Sequence, residues 1–407
     1  MSTKKNLLML GGGALNIQAV KEARENGFYV IVADGNPHAP AFEYADVAIH
    51  ADISSADAIA EKISPYTIDG IVSMAEVGVL PGAILNERLH LNGIRPETAL
   101  LATSKAGMRT SWSNSAYSVD FRVIKTFEEA LVAMNELGEF PLIVKPDRTY
   151  GGSRGVSKIN ASDELQAAFE FAKANGLNEY ILIEQCAQGE EFSCEVIVDK
   201  AQAYLLCVGQ KIKSPLPYRV DCSVQYPARL DEHQLDEVRK MTTMATQKLG
   251  ITDGVAHIEF AMTADGPRLF ELGARCGGGH TPLIARHVSN VNEFICYARI
   301  ACGEEPLLQF HNKSKGADYR FIIFHPGQIT HIEVEEWVSK HPGVYDLVIT
   351  AKAGDEVKAL RTTSERSGAL VTFGETFEEA IELADRVCRS IHVSYADGLK
   401  ETAKLFA

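Results

Sequence analysis

Short apolar runs alternate with helical patterns through the first hundred residues. Leu7-Leu8-Met9-Leu10 is a continuous apolar run ending at Gly11-Gly12-Gly13, and a helical pattern follows from about Leu15 to Glu25. A second run, Tyr29-Val30-Ile31-Val32-Ala33, ends at Asp34; helix-forming residues Ala56 to Ile63 then precede a strand near Gly70-Ile71-Val72-Ser73. Strand, helix, strand, helix, strand predicts a parallel, doubly wound sheet over residues 1–102. From about 103 the pattern changes to strand pairs between helices such as 161–175 and 231–249. A third region, from about 306, holds short strands (Tyr319–Phe324, Gln328–Val334, Ala369–Thr372) and a final long helix over Thr376–Ser390. The fold class expected is therefore α/β joined to α+β.

Composition sets bounds on this picture. At 407 residues the chain exceeds one ordinary core and reads as two or three domains. Hydrophobic residues make up 46% and charged residues 23%, ordinary for a soluble globular protein, and no apolar run approaches the roughly 20 residues that cross a bilayer. The polar start, Met1 to Asn6, shows no signal-peptide pattern, so a cytoplasmic protein with no membrane partner is expected. The eight cysteines form no C-x-x-C pair and sit mostly in apolar stretches, which marks them as reduced core residues. A net charge of −14 argues against nucleic acid as a partner, because phosphate backbones select basic surfaces. It does not argue against ATP, since a small basic pocket fits in an acidic protein.

Gly11-x-Gly13 after a first strand, with Asp34 closing the second, looks like a dinucleotide fold. The third glycine of G-x-G-x-x-G is replaced by Asn16. A tight strand-to-helix turn needs glycine with or without a ligand. An NAD-dependent oxidoreductase is therefore a minor alternative.

Chemistry concentrates further along. Pro141-Leu142-Ile143-Val144-Lys145 is a buried strand ending in a lysine, and a glycine-rich turn, Gly151-Gly152-Ser153-Arg154-Gly155, follows. Such a lysine is ordinarily a snorkelling end charge. The loop beside it offers converging backbone N–H groups, with Lys145 and Arg154 adding positive charge, as in a hairpin lid over phosphates. Tyr180 to Gln185 is another apolar run, ending in Glu184-Gln185, with Glu191 beyond it. Main-chain groups there suit an adenine edge and Glu191 a ribose, although solvated strand-end glutamates explain these residues as well.

The segment from Gly254 to Arg275 is the most informative. Two strand-like runs flank Ala264-Asp265-Gly266, which predicts a β-hairpin. A hairpin centred on Asp265 makes Glu259 and Glu271 a cross-strand pair. A period of two puts His257, Gly273 and Arg275 on their face and Ile258, Phe260, Phe270 and Leu272 on the other. Opposed carboxylates repel without a cation between them, and hard oxygen ligands suit Mg²⁺. A solvent-facing strand with scattered charges is the alternative. The glycines at 277–279 with His280 either hold a substrate carboxylate or turn into a helix near Ile284–Val288. Glu76, past the third strand, is a candidate for a substrate ammonium.

Together these segments resemble the ATP-grasp superfamily, in the same order and over most of the chain. The resemblance implies a Rossmann-like pre-ATP-grasp domain (1–102), an ATP-grasp domain (103–305) with a hairpin lid subdomain at about 110–185, and a mixed C-terminal β/α domain (306–407). That last domain is like those of biotin carboxylase and glycinamide ribonucleotide synthetase-type ligases. The resemblance implies ATP with Mg²⁺, or Mn²⁺ in its place. The family's phosphate-binding lysines match Lys105 and Lys145, its lid Gly151–Gly155, its adenine-hinge and ribose positions Glu184, Gln185 and Glu191, and its metal pair Glu259 and Glu271. Its arginine that steadies the transferring phosphate matches Arg275, which with Lys145 and His257 forms the expected catalytic set. Many members carry asparagine where this chain has Gly273. The E-x-x-x-R form and Gly254-x-x-His257-x-Glu259 are similar to bacterial L-amino-acid ligases.

The implied reaction joins a small-molecule carboxylate to an amine through an acyl phosphate, with Arg275, Gly278, Gly279, His280 and Glu76 facing substrate. A homodimer is expected by analogy with relatives. The alternatives are an ATP-grasp carboxylase or synthetase using bicarbonate or another nucleophile, and a nucleotide-binding protein without turnover.

Overall fold

The computed structural model describes residues 4–149, 154–215, 219–311 and 313–406. The N-terminal strands are β1 (Asn6–Leu10), β2 (Tyr29–Asp34), β3 (Val47–His50) and β4 (Gly70–Ser73), parallel and ordered β3-β2-β1-β4. Alternate residues of β1 serve two cores. Leu7 and Met9 pack with α1 (Ile17–Glu25), and Leu8 and Leu10 with α2 (Ala56–Ile63) and α3 (Val79–Arg88). β3 was not expected: its Ala48 and His50 are exposed, so this edge strand lacks the continuous apolar run of its neighbours.

Helices α4 (Pro96–Ala102) and α5 (Lys105–Trp112) lead into a small antiparallel sheet. Its strands are β5 (Phe121–Ile124), β6 (Leu142–Pro146), β7 (Ser157–Ile159) and β8 (Ile181–Gln185), ordered β5-β8-β6-β7. Helices α6 (Phe127–Leu137) and α7 (Leu165–Asn175) close a separate core on it. Thr126 and Glu129 form a reciprocal cap at the start of α6, satisfying backbone N–H groups that the first turn leaves without partners.

The largest sheet takes β9 (Glu190–Asp199), β10 (Gln202–Lys213), β11 (Asp221–Tyr226), β12 (Gly254–Thr263) and β13 (Gly266–Gly273). α8 (Glu232–Leu249), α9 (Thr281–Ser289) and α10 (Glu293–Ala301) pack around it. In the C-terminal region follow β14 (Gly316–Ile322), β15 (Gly327–Val334), β16 (Val344–Ile349), β17 (Glu356–Val357), β18 (Gly368–Gly374), α11 (Phe377–Arg389), β19 (Ile391–Tyr395) and β20 (Lys400–Thr402). β14, β18 and β16 extend the large sheet to eight strands, β13-β12-β9-β10-β11-β14-β18-β16, so the expected boundary at 305 does not interrupt it. The rest form a four-stranded sheet, β17-β15-β19-β20. The class is mixed α/β, as expected. All eight cysteines are free, and all but Cys186 are buried. Among the described residues no helix is long and apolar enough to cross a membrane.

Candidate active site

One face of the large sheet carries the candidate site. Its register sets Glu271 opposite Glu259, Glu259 opposite Ser193 and Ser193 opposite Gly209; beside that row, Gly273, His257, Glu195 and Cys207 oppose one another in turn. Lys211 continues the face through Val224, Tyr319 and Val371 to Asp346 on β16. The hairpin itself differs in detail from the expected one. Thr263 opposes Gly266 across a two-residue turn, and a bulge then inserts Phe270 between Leu269 and Glu271. The buried face is Ile258, Phe260, Leu269 and Leu272, while Phe270 is only partly buried.

Both carboxylates of the pair are met by lysines. Lys211 donates to Glu259, and the Lys105 ammonium lies 3.2 Å from Glu271. Lys105 holds the Glu271 carboxyl below the usual range. Burial would raise Glu259, but Lys211 and His257 outweigh it and keep that carboxyl well below its ordinary value. Lys105 starts α5, and Asp147 holds it there. The Asp147 carboxylate accepts from Ser104 Oγ (2.7 Å) and the Ala106 amide (2.8 Å), tying α5 to the end of β6.

Lys145 lies in a buried cluster. Its ammonium is 2.5 Å from Glu184, whose carboxylate also accepts from Arg109 Nε (2.7 Å) and Nη2 (3.0 Å). Burial lowers Lys145 to about 8 despite Glu184. Burial pushes Glu184 upward, yet Arg109 and Lys145 bring it to about 2. The Glu184 side chain is thus committed to two cations, and its main chain lies in the ladder between Phe121 of β5 and Ile143 of β6. The Gln185 amide donates to the Asp120 carbonyl (2.9 Å), and Glu191 pairs with Lys213 (2.5 Å) and Arg219 (3.3 Å). Of the expected lid, Arg154 is exposed and Gly155 buried, while Gly151, Gly152 and Ser153 lie outside the described residues.

His257 and the glycine loop share an anchor. Glu195, 1% exposed, accepts from His257 Nδ1 (2.5 Å) and the Gly277 amide (3.0 Å). Burial disfavours a charged imidazole, but Glu195 and Glu259 raise His257 to about 9. Behind Glu195, the Glu293 carboxyl is fully buried with neither oxygen in good hydrogen-bond geometry; burial and Glu195 raise its pKa well above the usual carboxylate value. Arg275 Nε donates to Glu76 (2.8 Å), so the two expected substrate contacts are brought together as an ion pair. Gly278 is exposed, Gly279 lies close against Tyr319, and His280 Nε2 is 2.9 Å from Asp346. At the N-terminal glycines, Asp34 accepts from the Gly12 (2.6 Å) and Asn36 (2.7 Å) amides, so its carboxylate shapes the turn itself and is not a free ribose acceptor.

Arg109, Asp147, Glu195 and Lys211 were not singled out from sequence. Glu195 had a signal: a carboxylate inside the apolar run Phe192–Val198 is costly to bury without a partner.

This arrangement of paired carboxylates, buried lysines and a glycine loop on an antiparallel sheet, beside a small second sheet, is the one expected of an ATP-grasp enzyme. An ATP-grasp domain model matches residues 138–282, and an L-amino acid ligase C-terminal domain 2 model matches residues 320–396. The chain is 24% identical over 310 residues to an L-arginine-specific L-amino acid ligase of Bacillus subtilis, covering 74% of each protein. It is 26% identical over 321 residues to a formate-dependent phosphoribosylglycinamide formyltransferase of Trichormus variabilis, covering 74% of this chain and 76% of the relative. The crystal structure of an L-amino acid ligase from Bacillus licheniformis superposes with a TM-score of 0.79 at 22% identity, over 97% of this chain and all of that one. The chain thus carries an ATP-grasp domain, followed by a C-terminal domain of the L-amino acid ligase type.

Proposed function

We propose that this chain ligates two amino acids, activating the carboxylate of one with ATP and joining it to the amino group of the other. The observation that carries the reading is the Glu259–Glu271 pair, flanked by Lys105 and Lys211 and set on one face with His257 and Gly273. The likeness of the C-terminal region to L-amino acid ligases supports the substrate class.

The residues present fit Mg²⁺. Two opposed carboxylates offer hard oxygens. That suits an ion whose remaining ligands are phosphate oxygens and water. Glu259 and Glu271 would hold it, and it would neutralise charge on the transferring phosphate when bound.

Lys105 and Lys145 bind the phosphates. A substrate carboxylate oxygen bonds to the γ-phosphorus as the bond to ADP breaks, with Arg275 meeting the charge that develops. The amine lone pair then attacks the acyl carbon. Phosphate leaves with the C–O electrons, and the amine's proton passes to it or to solvent. Glu195 keeps His257 charged and in place beside Glu259. A phosphate-release screen with Mg·ATP over amino-acid pairs, followed by product mass spectrometry, tests the reading. Release requiring both partners and an amide product are expected, with both lost in Glu271→Gln. Release with bicarbonate or formate alone, without an amide product, would overturn it.

A further inference from the structure

Two carboxyls lie buried together behind the candidate site. Glu195 stands within β9, in the apolar run Phe192–Val198, and Glu293 is the first residue of α10. The Glu195 carboxylate uses Oε1 for His257 Nδ1 and Oε2 for the Gly277 amide. It therefore holds both the start of the glycine loop and the imidazole, whose Nε2 is 3.5 Å from Glu259. The Glu293 carboxyl has no such role on the page: neither oxygen meets a partner in good hydrogen-bond geometry among the described residues. The titratable groups around it are Glu195 and the thiols of Cys276, Cys207 and Cys296. Nor is it needed as a cap, because Asn292 accepts from the Ile295 amide at the start of α10 (3.2 Å).

An acid buried without partners is a net cost to the fold, and an apolar side chain of like size would avoid it. Its neighbour gives it a use. Two adjacent buried carboxyls resist carrying charge together, and the one that keeps its proton becomes a hydrogen-bond donor. Burial and the Glu195 charge both favour the proton on Glu293. A carboxylate offers about four acceptor positions, and His257 and Gly277 take two of those on Glu195. A third donor, from α10, would leave that carboxylate little freedom to turn away from the imidazole and the loop.

We propose that Glu293 is a positioning residue: as a carboxylic acid it donates to Glu195, and so fixes the carboxylate that aims His257 and seats the glycine loop. This rests on the ligase reading above. The alternative is that Glu293 only fills space at the start of α10.

The test compares the wild type with Glu293→Gln, whose amide still donates, and Glu293→Met, which keeps the bulk without a donor. In Glu293→Met, kcat for amide formation should fall roughly 10- to 100-fold, the scale of a small misplacement in an active site. KM for ATP should stay unchanged, and melting should stay at or above the wild-type temperature. Glu293→Gln should keep kcat near wild type. In the nucleotide-free proteins, the His257 Nδ1 proton, read by 1H–15N NMR, should shift in Glu293→Met and hold its position in Glu293→Gln. Space filling alone predicts a fully active Glu293→Met with an unmoved His257 signal, and that result overturns the proposal. A Glu293→Gln protein as impaired as Glu293→Met overturns it too. So does a Glu293→Met protein that melts well below the wild type or does not fold, since the acid is then a structural requirement. Wild-type protein that forms no amide from any amino-acid pair overturns the ligase reading itself, whereas the NMR comparison needs no turnover and still decides whether Glu293 acts on His257.

Discussion

Replacing Glu184 with glutamine separates what the buried Arg109–Glu184–Lys145 cluster does for stability from what it does for nucleotide binding. Burial takes the Lys145 ammonium from 10.5 to about 8, and a gap of that size penalises the charged lysine by ~3 kcal/mol. Glu184 moves from 4.5 to about 2, with burial opposed and overcome by Arg109 and Lys145, a stabilisation also of ~3 kcal/mol. The lysine's penalty is full below about pH 8 and is relieved as pH rises toward 10.5. The carboxylate's contribution is present above pH 4.5 and is lost as pH falls toward about 2. The two shifts share one Lys145–Glu184 attraction and bear on stability in opposite directions, and a buried ion pair of this kind is weak evidence for stability. What it does is keep an ammonium charged where water is excluded.

Glu184→Gln leaves two buried cations without their anion. The fold should lose roughly 3–5 kcal/mol, and Lys145 should give up its proton below its present value of about 8. Thermal melting reads the first effect. The second is read by kcat/KM for ATP against pH, which follows groups on the free enzyme. Wild-type kcat/KM should fall above about pH 8, and in the variant that fall should move to lower pH. His257, near 9, adds a later break in both proteins and does not mask the shift. If melting drops while the two profiles superimpose, Lys145 is not the phosphate contact, or Glu184 is not what keeps it charged.

Two further substitutions test the supports around the site. A Cβ at Gly277 would lie 2.7 Å from Glu195 Oε1 and 2.9 Å from His257 Nδ1, so Gly277→Ala should cost ~1–3 kcal/mol and lower kcat by roughly tenfold or more. Turnover equal to wild type would mean that the His257–Glu195 contact is dispensable. Asp147→Ala removes the acceptor of Ser104 Oγ and the Ala106 amide, so melting should report a loss of ~1–3 kcal/mol and KM for ATP should rise as Lys105 loses its placement. An unchanged KM would detach Lys105 from nucleotide binding.

The Glu259–Glu271 pairing was legible from sequence, but by a route that differs from the one the chain takes. A turn centred on Asp265 puts those residues opposite each other; the two-residue turn actually formed puts Phe260 opposite Leu269, one step short of that register. The extra residue at Phe270 restores the pairing, so two local departures cancel at the carboxylates and show only in which aromatic ring enters the core. A bulge has no periodic signature, and the period of two that exposes the strand hides the insertion within it. The supporting charges are harder to read for a different reason. Glu195 and His257 are direct cross-strand neighbours but stand 62 residues apart, on strands whose pairing no local pattern announces. The same holds where β14 joins β11: alternation marks Tyr319 as a strand residue, but only packing decides that Val224 lies opposite. A metal-binding pair can lie within one hairpin, where turn chemistry limits the register. The counter-ions that hold such a pair need only reach it, from any strand or helix that passes. Thus Lys105 comes from α5 and Lys211 from β10, and a single sequence shows the carboxylates before it shows what steadies them.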